Sequence, residues 1–190
     1  MLRIITGSAK GKKLVTLEGE LTRPTSERIK GAMFSSIQFD IENRRVLDLF
    51  AGSGQLGLEA LSRGAESVTF VDMEREAMEI VKKNAKSVGF FDKCRYSVSD
   101  FRNFIRKASG RDKYDLVFID PPYAMACAED ALVRLKDSEI IIPGAIIVIE
   151  SGEEKIDTEK LSALGFECTK STEYGKKTAV HIFIYRGCAK

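Results

Sequence analysis

The amino-acid sequence predicts an α/β fold in which a mostly parallel sheet, covered by helices, ends in an antiparallel C-terminal hairpin. From Arg45 onward, short apolar runs alternate with amphipathic stretches, the pattern of strands and their covering helices. The last two apolar runs are separated only by Tyr174-Gly175-Lys176-Lys177, too short for the crossover that parallel strands need. Residues 1–40 stand apart, rich in charge and read as a small β-hairpin followed by a helix. The expected division is an N-terminal β-hairpin and helix extension over 1–40 and a main domain over 41–190.

In chain order, residues 3–6 and 13–17 read as the two short strands of the extension, joined by the turn Gly7-Ser8-Ala9-Lys10-Gly11. Arg23-Pro24-Thr25-Ser26 leads into a helix over 27–37. There Thr25 or Ser26 can cap, and Ile29, Met33, Phe34 and Ile37 fall on one face. Strands are expected at 46–50, 67–71, 95–98, 115–119 and 145–150. The intervening helices are expected at 55–62, 74–88, 101–107 and 126–135. A short helix near 158–164 precedes the closing strands at 166–172 and 178–185.

Hydrophobic residues make up 44% of the 190 residues and charged ones 31%, as in an ordinary globular domain. No apolar run approaches the length of a bilayer span, and Met1-Leu2-Arg3-Ile4-Ile5-Thr6 lacks the apolar core of a signal peptide. A cytoplasmic location is expected, with no membrane partner. Cys94, Cys127, Cys168 and Cys188 are scattered singly, which argues for reduced thiols rather than a disulfide framework or zinc site. The single histidine, His181, lies in a strand run and reads as structural, so no metal site is expected. Residues 1–30 hold seven basic and three acidic residues, a surplus larger than the chain's net +2. That imbalance suits contact with phosphates, or else a solvated charged face.

The first chemical motif is Asp48-Leu49-Phe50-Ala51-Gly52-Ser53-Gly54, a glycine turn between a strand and a helix. Gly52-Ser53-Gly54-Gln55-Leu56-Gly57 satisfies the dinucleotide pattern, and Asp72 follows at the next strand end, so NAD and S-adenosylmethionine both fit. Asp48 inside the first strand favours the latter, since a carboxylate can help hold an ammonium but would repel a pyrophosphate. Asp100, after the third strand, is placed to accept from an adenine amino group.

The second motif is Asp120-Pro121-Pro122-Tyr123, at the end of the run Tyr114-Asp115-Leu116-Val117-Phe118-Ile119. It has no natural task in hydride transfer. A carboxylate and the Pro121 carbonyl can accept from an exocyclic amine while Tyr123 stacks on the base. The prolines remove two backbone donors and stiffen the turn. Held this way, the amine nitrogen presents its lone pair to an activated methyl group, so alignment and charge stabilisation carry the catalysis. Together the motifs point to S-adenosylmethionine-dependent methyl transfer on a class I, Rossmann-like methyltransferase fold.

With these residues in place, the chain resembles the bacterial 16S ribosomal RNA guanine-N2 methyltransferase family usually called RsmD. The resemblance spans nearly the whole chain. It is carried by Arg3-Ile4-Ile5-Thr6-Gly7 with Gly11, Thr22-Arg23-Pro24-Thr25-Ser26-Glu27-Arg28, the glycine turn, the run from Gly57 to Ala65, and Asp120-Pro121-Pro122-Tyr123. Lys12, Ser35 and Ser151 depart from the usual pattern. The resemblance implies S-adenosylmethionine as donor and a flipped guanine, guanine 966, as acceptor, presented in a partly assembled small subunit. It implies catalytic roles for Asp120, Pro121, Pro122 and Tyr123. Cofactor contacts would come from Asp48, Phe50, Ala51, Gly52, Gly54, Asp72, Met73, Asp100 and Phe101. RNA contacts would come from Arg3, Lys10, Lys12, Lys13, Arg23, Thr25 and Arg28. The chain is expected to act as a monomer. Two other functions remain open on the residues alone: methylation of adenine or cytosine in another RNA or DNA, and a non-catalytic rRNA-binding assembly factor.

Overall fold

The computed structural model describes residues 2–16, 27–122, 125–152, 154–175 and 177–187. The chain divides into two compact units, Met1–Asp100 and Phe101–Lys190. Among the described residues, the first unit holds three strands of sheet and the second four.

In the first unit, helix α1 (Glu27–Ser36) is followed by strand β1 (Arg45–Asp48), helix α2 (Gln55–Ser62), strand β2 (Ser67–Asp72), helix α3 (Arg75–Val88) and strand β3 (Cys94–Val98). A single 3-10 turn, Phe91–Lys93, precedes β3. The strands lie in the order β3-β2-β1, and both pairings are parallel. Helix α2 carries Leu56, Leu58, Ala60 and Leu61, and all but its first residue are buried. Helix α3 is amphipathic: Ala77, Met78, Val81, Ala85 and Val88 turn inward at helical spacing. Gly89 closes it in the left-handed region, with φ 86°.

The expected strands at 3–6 and 13–17 are not regular strands. One antiparallel bridge, Arg3 to Lys13, pairs the two arms. The reason lies in where the backbone donors go. Ile5 and Thr6 give their N–H groups to the Glu59 carboxylate, at 2.7 and 2.9 Å, and Val15 gives its own to Asn84 Oδ1 at 2.8 Å. The bridge keeps its two ladder bonds, Ile4 N to the Lys12 carbonyl at 3.0 Å and Leu14 N to the Leu2 carbonyl at 2.9 Å, while side chains of α2 and α3 take the other donors. The expected helix caps Thr25 and Ser26, and the end of the second arm at Leu17, lie outside the described residues.

In the second unit, helix α4 (Phe101–Ala108), strand β4 (Tyr114–Ile119), helix α5 (Ala128–Asp137), strand β5 (Ile141–Ser151), helix α6 (Thr158–Ala163) and strands β6 (Phe166–Glu173) and β7 (Ala179–Tyr185) follow in turn. Their order is β4-β5-β7-β6, parallel between β4 and β5 and antiparallel at both β7 pairings. The closing antiparallel hairpin is the one the short connection demanded. Every residue of β4 is buried, as a strand packed on both faces requires. Strand β5 starts earlier than the expected 145: Ile141 pairs with Tyr114 before the chain passes Pro143 and Gly144. His181 is buried in β7, its two ring nitrogens lying 3.3 and 3.0 Å from the hydroxyls of Ser151 and Ser171. Burial lowers its pKa from the usual histidine value. Cys94, Cys127 and Cys168 are in no disulfide among the described residues, and Cys188 lies outside them.

Candidate active site

The glycine turn is built by contacts between the ends of β1 and β2. Gly52 and Gly54 both have positive φ, 51° and 79°, and the Gly54 N–H closes the turn on the Ala51 carbonyl at 2.6 Å. Ala51 is buried and donates to the Val71 carbonyl at 2.9 Å, while Phe50 is half-buried. Helix α2 opens directly on Gly54, without a side-chain cap. Its third N–H, that of Gly57, is taken instead by Asp48 Oδ2 at 3.0 Å. Gly57 has a packing reason of its own. A Cβ there would stand 2.4 Å from Cε1 of the buried Phe70 ring.

Asp48 is 1% exposed. Burial pushes its carboxyl up to about 7, against the Gly57 N–H, which lowers it; the nearby Asp72 charge adds to the rise. Asp72 is itself fixed from two sides. Its Oδ2 accepts from Gly52 N at 2.8 Å and its Oδ1 from Glu74 N at 2.9 Å. A carboxylate offers about four lone-pair sites, so these two bonds orient it without filling it. Ser99 donates to the Asp72 carbonyl at 2.8 Å and immediately precedes the half-buried Asp100. Met73 is 60% exposed beside Asp72.

Asp48, Gly52, Gly54 and Asp72 are therefore brought together at the carboxyl ends of β1 and β2. Asp100 is tied to the same region through Ser99. The donor set suits a nucleoside with an attached ammonium: carboxylates for hydroxyls and cation, and a glycine turn for close backbone approach. Phe101 is buried at the start of α4, with the Arg102 guanidinium 4.4 Å above its ring.

In the second unit, Asp120 is half-buried directly after β4, Pro121 is buried and Pro122 is exposed. The Pro122 carbonyl accepts from Met125 N at 2.8 Å. Tyr123 lies outside the described residues.

The basic residues of the N-terminal segment divide by partner. Arg3 meets Glu27 at 2.9 Å, and Lys12 reaches the Val88 carbonyl at the end of α3, at 3.2 Å. Lys10, Lys13 and Arg28 are exposed. Arg23 and Thr25 lie outside the described residues.

Sequence reasoning missed the residues that hold this segment in place. Glu59 is fully buried and takes Lys30 Nζ at 3.3 Å and Arg63 Nε at 2.9 Å, besides the two backbone donors. The Ser62 hydroxyl donates to the Thr6 carbonyl at 2.6 Å and accepts from Ala9 N at 3.0 Å. Asn84 joins the Val15 backbone to the Ser53 carbonyl of the glycine turn. A signal was available: Gln55, Glu59 and Ser62 fall at i, i+4 and i+7, a single polar stripe on an otherwise apolar short helix, which once buried needs partners.

Comparison with known proteins follows the same lines. The family model described as Conserved hypothetical protein 95 matches residues 2–184. The ribosomal RNA small subunit methyltransferase D of Haemophilus influenzae is 35% identical over 159 residues, covering 81% of this chain and 80% of that protein. The Escherichia coli protein of the same name is 33% identical over 153 residues, covering 80% and 76%. The solved structure of the Escherichia coli protein yhhF superposes with a TM-score of 0.84 at 29% identity, over 99% of each chain. With its mixed sheet, glycine turn and strand-end carboxylates, the chain has the class I, Rossmann-like methyltransferase fold and belongs to the family described as Conserved hypothetical protein 95, the RsmD family.

Proposed function

We propose that the chain is an S-adenosylmethionine-dependent ribosomal RNA methyltransferase that modifies the exocyclic N2 of a guanine in 16S ribosomal RNA, at guanine 966 by resemblance. The observation that carries this reading is the bond from Gly52 N to Asp72 Oδ2, 2.8 Å, which locks the glycine turn onto a strand-end carboxylate. Its setting supports it, since the relatives of this chain are named small-subunit ribosomal RNA methyltransferases.

When bound, S-adenosylmethionine supplies a methyl group activated by its sulfonium. In this reading Asp72 accepts from the ribose hydroxyls, Asp48 balances the ammonium, and Asp100 with Phe101 takes the adenine. Phe50, Ala51 and Met73 line the same site. Asp120 and the Pro121 carbonyl accept from the two amine hydrogens, which favours a pyramidal nitrogen. Asp120 then offsets the positive charge that develops there. Well-oriented groups can supply roughly 7–11 kcal/mol of the barrier reduction. Tyr123 stacks on the guanine, worth about 1–3 kcal/mol, and so offsets the few kcal/mol needed to flip it. Residues 1–40 form the RNA-contacting extension, through Arg3, Lys10, Lys12, Lys13, Arg23, Thr25 and Arg28. The protein works as a monomer in the cytoplasm, on a small-subunit assembly particle.

The test is transfer of a labelled methyl group to small subunits lacking the modification, with the labelled base mapped by nuclease digestion and mass spectrometry. Asp120→Ala should keep donor binding and lose transfer. Label on adenine or cytosine would replace guanine in this reading. Absence of transfer by the wild-type chain would leave only an RNA-binding role.

A further inference from the structure

Phe39 is 91% exposed, an apolar ring with almost no cover. The preceding residue, Gln38, lines a cavity of ≈ 510 Å³ together with Thr6, Ser8, Arg63 and Lys93. Beyond Lys93, the same segment presents a second ring, Phe91, at 36% exposure. The rings of Phe91 and Tyr96 are 5.4 Å apart, and the Lys86 ammonium sits 4.8 Å above Phe91. Lys82, one turn earlier on α3, is 6.0 Å from the Tyr96 ring and pairs with Glu79 at 2.7 Å.

Charge follows the same path. Residues 82–93 contain four lysines, Lys82, Lys83, Lys86 and Lys93, and one acid, Asp92. Lys83, Lys86 and Lys93 are exposed. The surface is also continuous with the N-terminal turn, because the Lys12 ammonium lies 3.2 Å from the Val88 carbonyl at the end of α3. Exposed aromatic rings interleaved with lysines are what an unpaired nucleic-acid strand requires: cations for phosphates and rings for bases. An acidic protein surface would use the lysines but leave Phe39 and Phe91 unexplained.

We propose that Phe39, Phe91, Lys83, Lys86 and Lys93 form a further RNA-contacting surface, which takes an unpaired stretch of the substrate RNA and extends the basic N-terminal segment around the C-terminal end of α3. This rests on the ribosomal RNA reading above and adds where a second part of that RNA is held. The lysines carry the phosphates, and the two rings take bases.

The test uses the full chain and protein-free 16S ribosomal RNA, with affinity measured across a salt series. A Lys86→Ala, Lys93→Ala double variant should flatten the slope of log affinity against log salt by about 1.4, about 0.7 for each phosphate contact on a single strand. Phe39→Ala, at a site too exposed to disturb folding, should weaken binding by about fivefold or more. Affinity for S-adenosylmethionine should be unmoved in both. The proposal is overturned if wild type and variants bind RNA alike. It is equally overturned if Lys107→Ala with Arg111→Ala, equal charges removed from the second unit, gives the same loss. If the wild-type chain methylates small subunits in each of those cases, only this surface fails. If the wild-type chain neither binds the RNA nor methylates small subunits, the underlying reading fails with it.

Discussion

Lys30 Nζ lies 3.3 Å from Glu59 Oε2, with both side chains essentially out of solvent, at 1% and 0% exposure. Neither charge depends on the other alone. Lys30 also donates to the Arg3 carbonyl at 2.7 Å, and Glu59 accepts from Ile5 N, Thr6 N and Arg63 Nε. Burial lowers the Lys30 pKa, and the Glu59 charge opposes that shift. The pair joins three sequence-distant pieces, the N-terminal arm, α1 and α2, and so fixes the edge of the first unit.

Glu59→Ala should therefore destabilise the chain by about 3–5 kcal/mol, because it strands a buried ammonium and two backbone donors. The measurement is chemical denaturation. Replacing both partners, Lys30→Met with Glu59→Leu, should recover only part of the loss. Ile5 and Thr6 would still lack an acceptor, which a pure ion-pair account would not anticipate.

Asp48 sets a pH dependence whose sign can be stated. Its carboxyl has a folded-state pKa raised from 3.8 to about 7, so the folded chain holds this proton more tightly than the unfolded chain. That stabilisation is complete below about pH 4 and is lost as pH rises through about 7. The size is on the order of 4 kcal/mol. Asp48→Asn, which keeps an acceptor for Gly57 N, should flatten the stability profile across this window. In the wild-type chain, binding of a cationic donor should strengthen as pH rises through the same range. A flat binding profile would remove Asp48 from the ammonium site.

Gly57→Ala should cost about 1–3 kcal/mol by overpacking. The added methyl would lie 2.4 Å from the fully buried Phe70 ring and 2.8 Å from Val68 Cγ1. Thermal denaturation would reveal it. A neutral substitution would mean that α2 can slide on β2.

Asp72→Ala removes the acceptor of the Gly52 and Glu74 N–H groups. Affinity for S-adenosylmethionine should fall roughly tenfold to a hundredfold, as expected for loss of a charged hydrogen-bonding group. Titration calorimetry would measure this. Unchanged affinity would exclude Asp72 from the cofactor site.

Much of this was legible because local rules agree with the fold. Alternating periods marked the strands and helices, and the short connection around Tyr174 and Gly175 fixed the antiparallel ending. The glycine spacing and the strand-end acids marked the turn where Asp48, Gly52, Gly54 and Asp72 meet. Where reading failed, the determining partner was far away in sequence. Residues 3–6 look like a strand, but the Ile5 and Thr6 donors are claimed by Glu59, more than fifty residues later. Residue 145 looks like the start of β5 because Pro143 and Gly144 signal a turn, yet the pairing of Ile141 with Tyr114 carries the strand back past them. Asp48 was read as facing the ligand, whereas its oxygen is also the missing cap of α2, a geometric fact about Gly57 that spacing alone does not reveal.

Asn84 has an outcome for anyone who trims this protein. Its amide holds both backbone groups of Val15 and, with the same nitrogen, the Ser53 carbonyl. A chain shortened to begin at residue 27 would leave that amide with one of its three anchors. It would also uncover the Glu59 and Ser62 side chains that the first residues now roof over. The leading segment is thus masonry shared with the glycine turn, and pruning it would loosen the turn from behind.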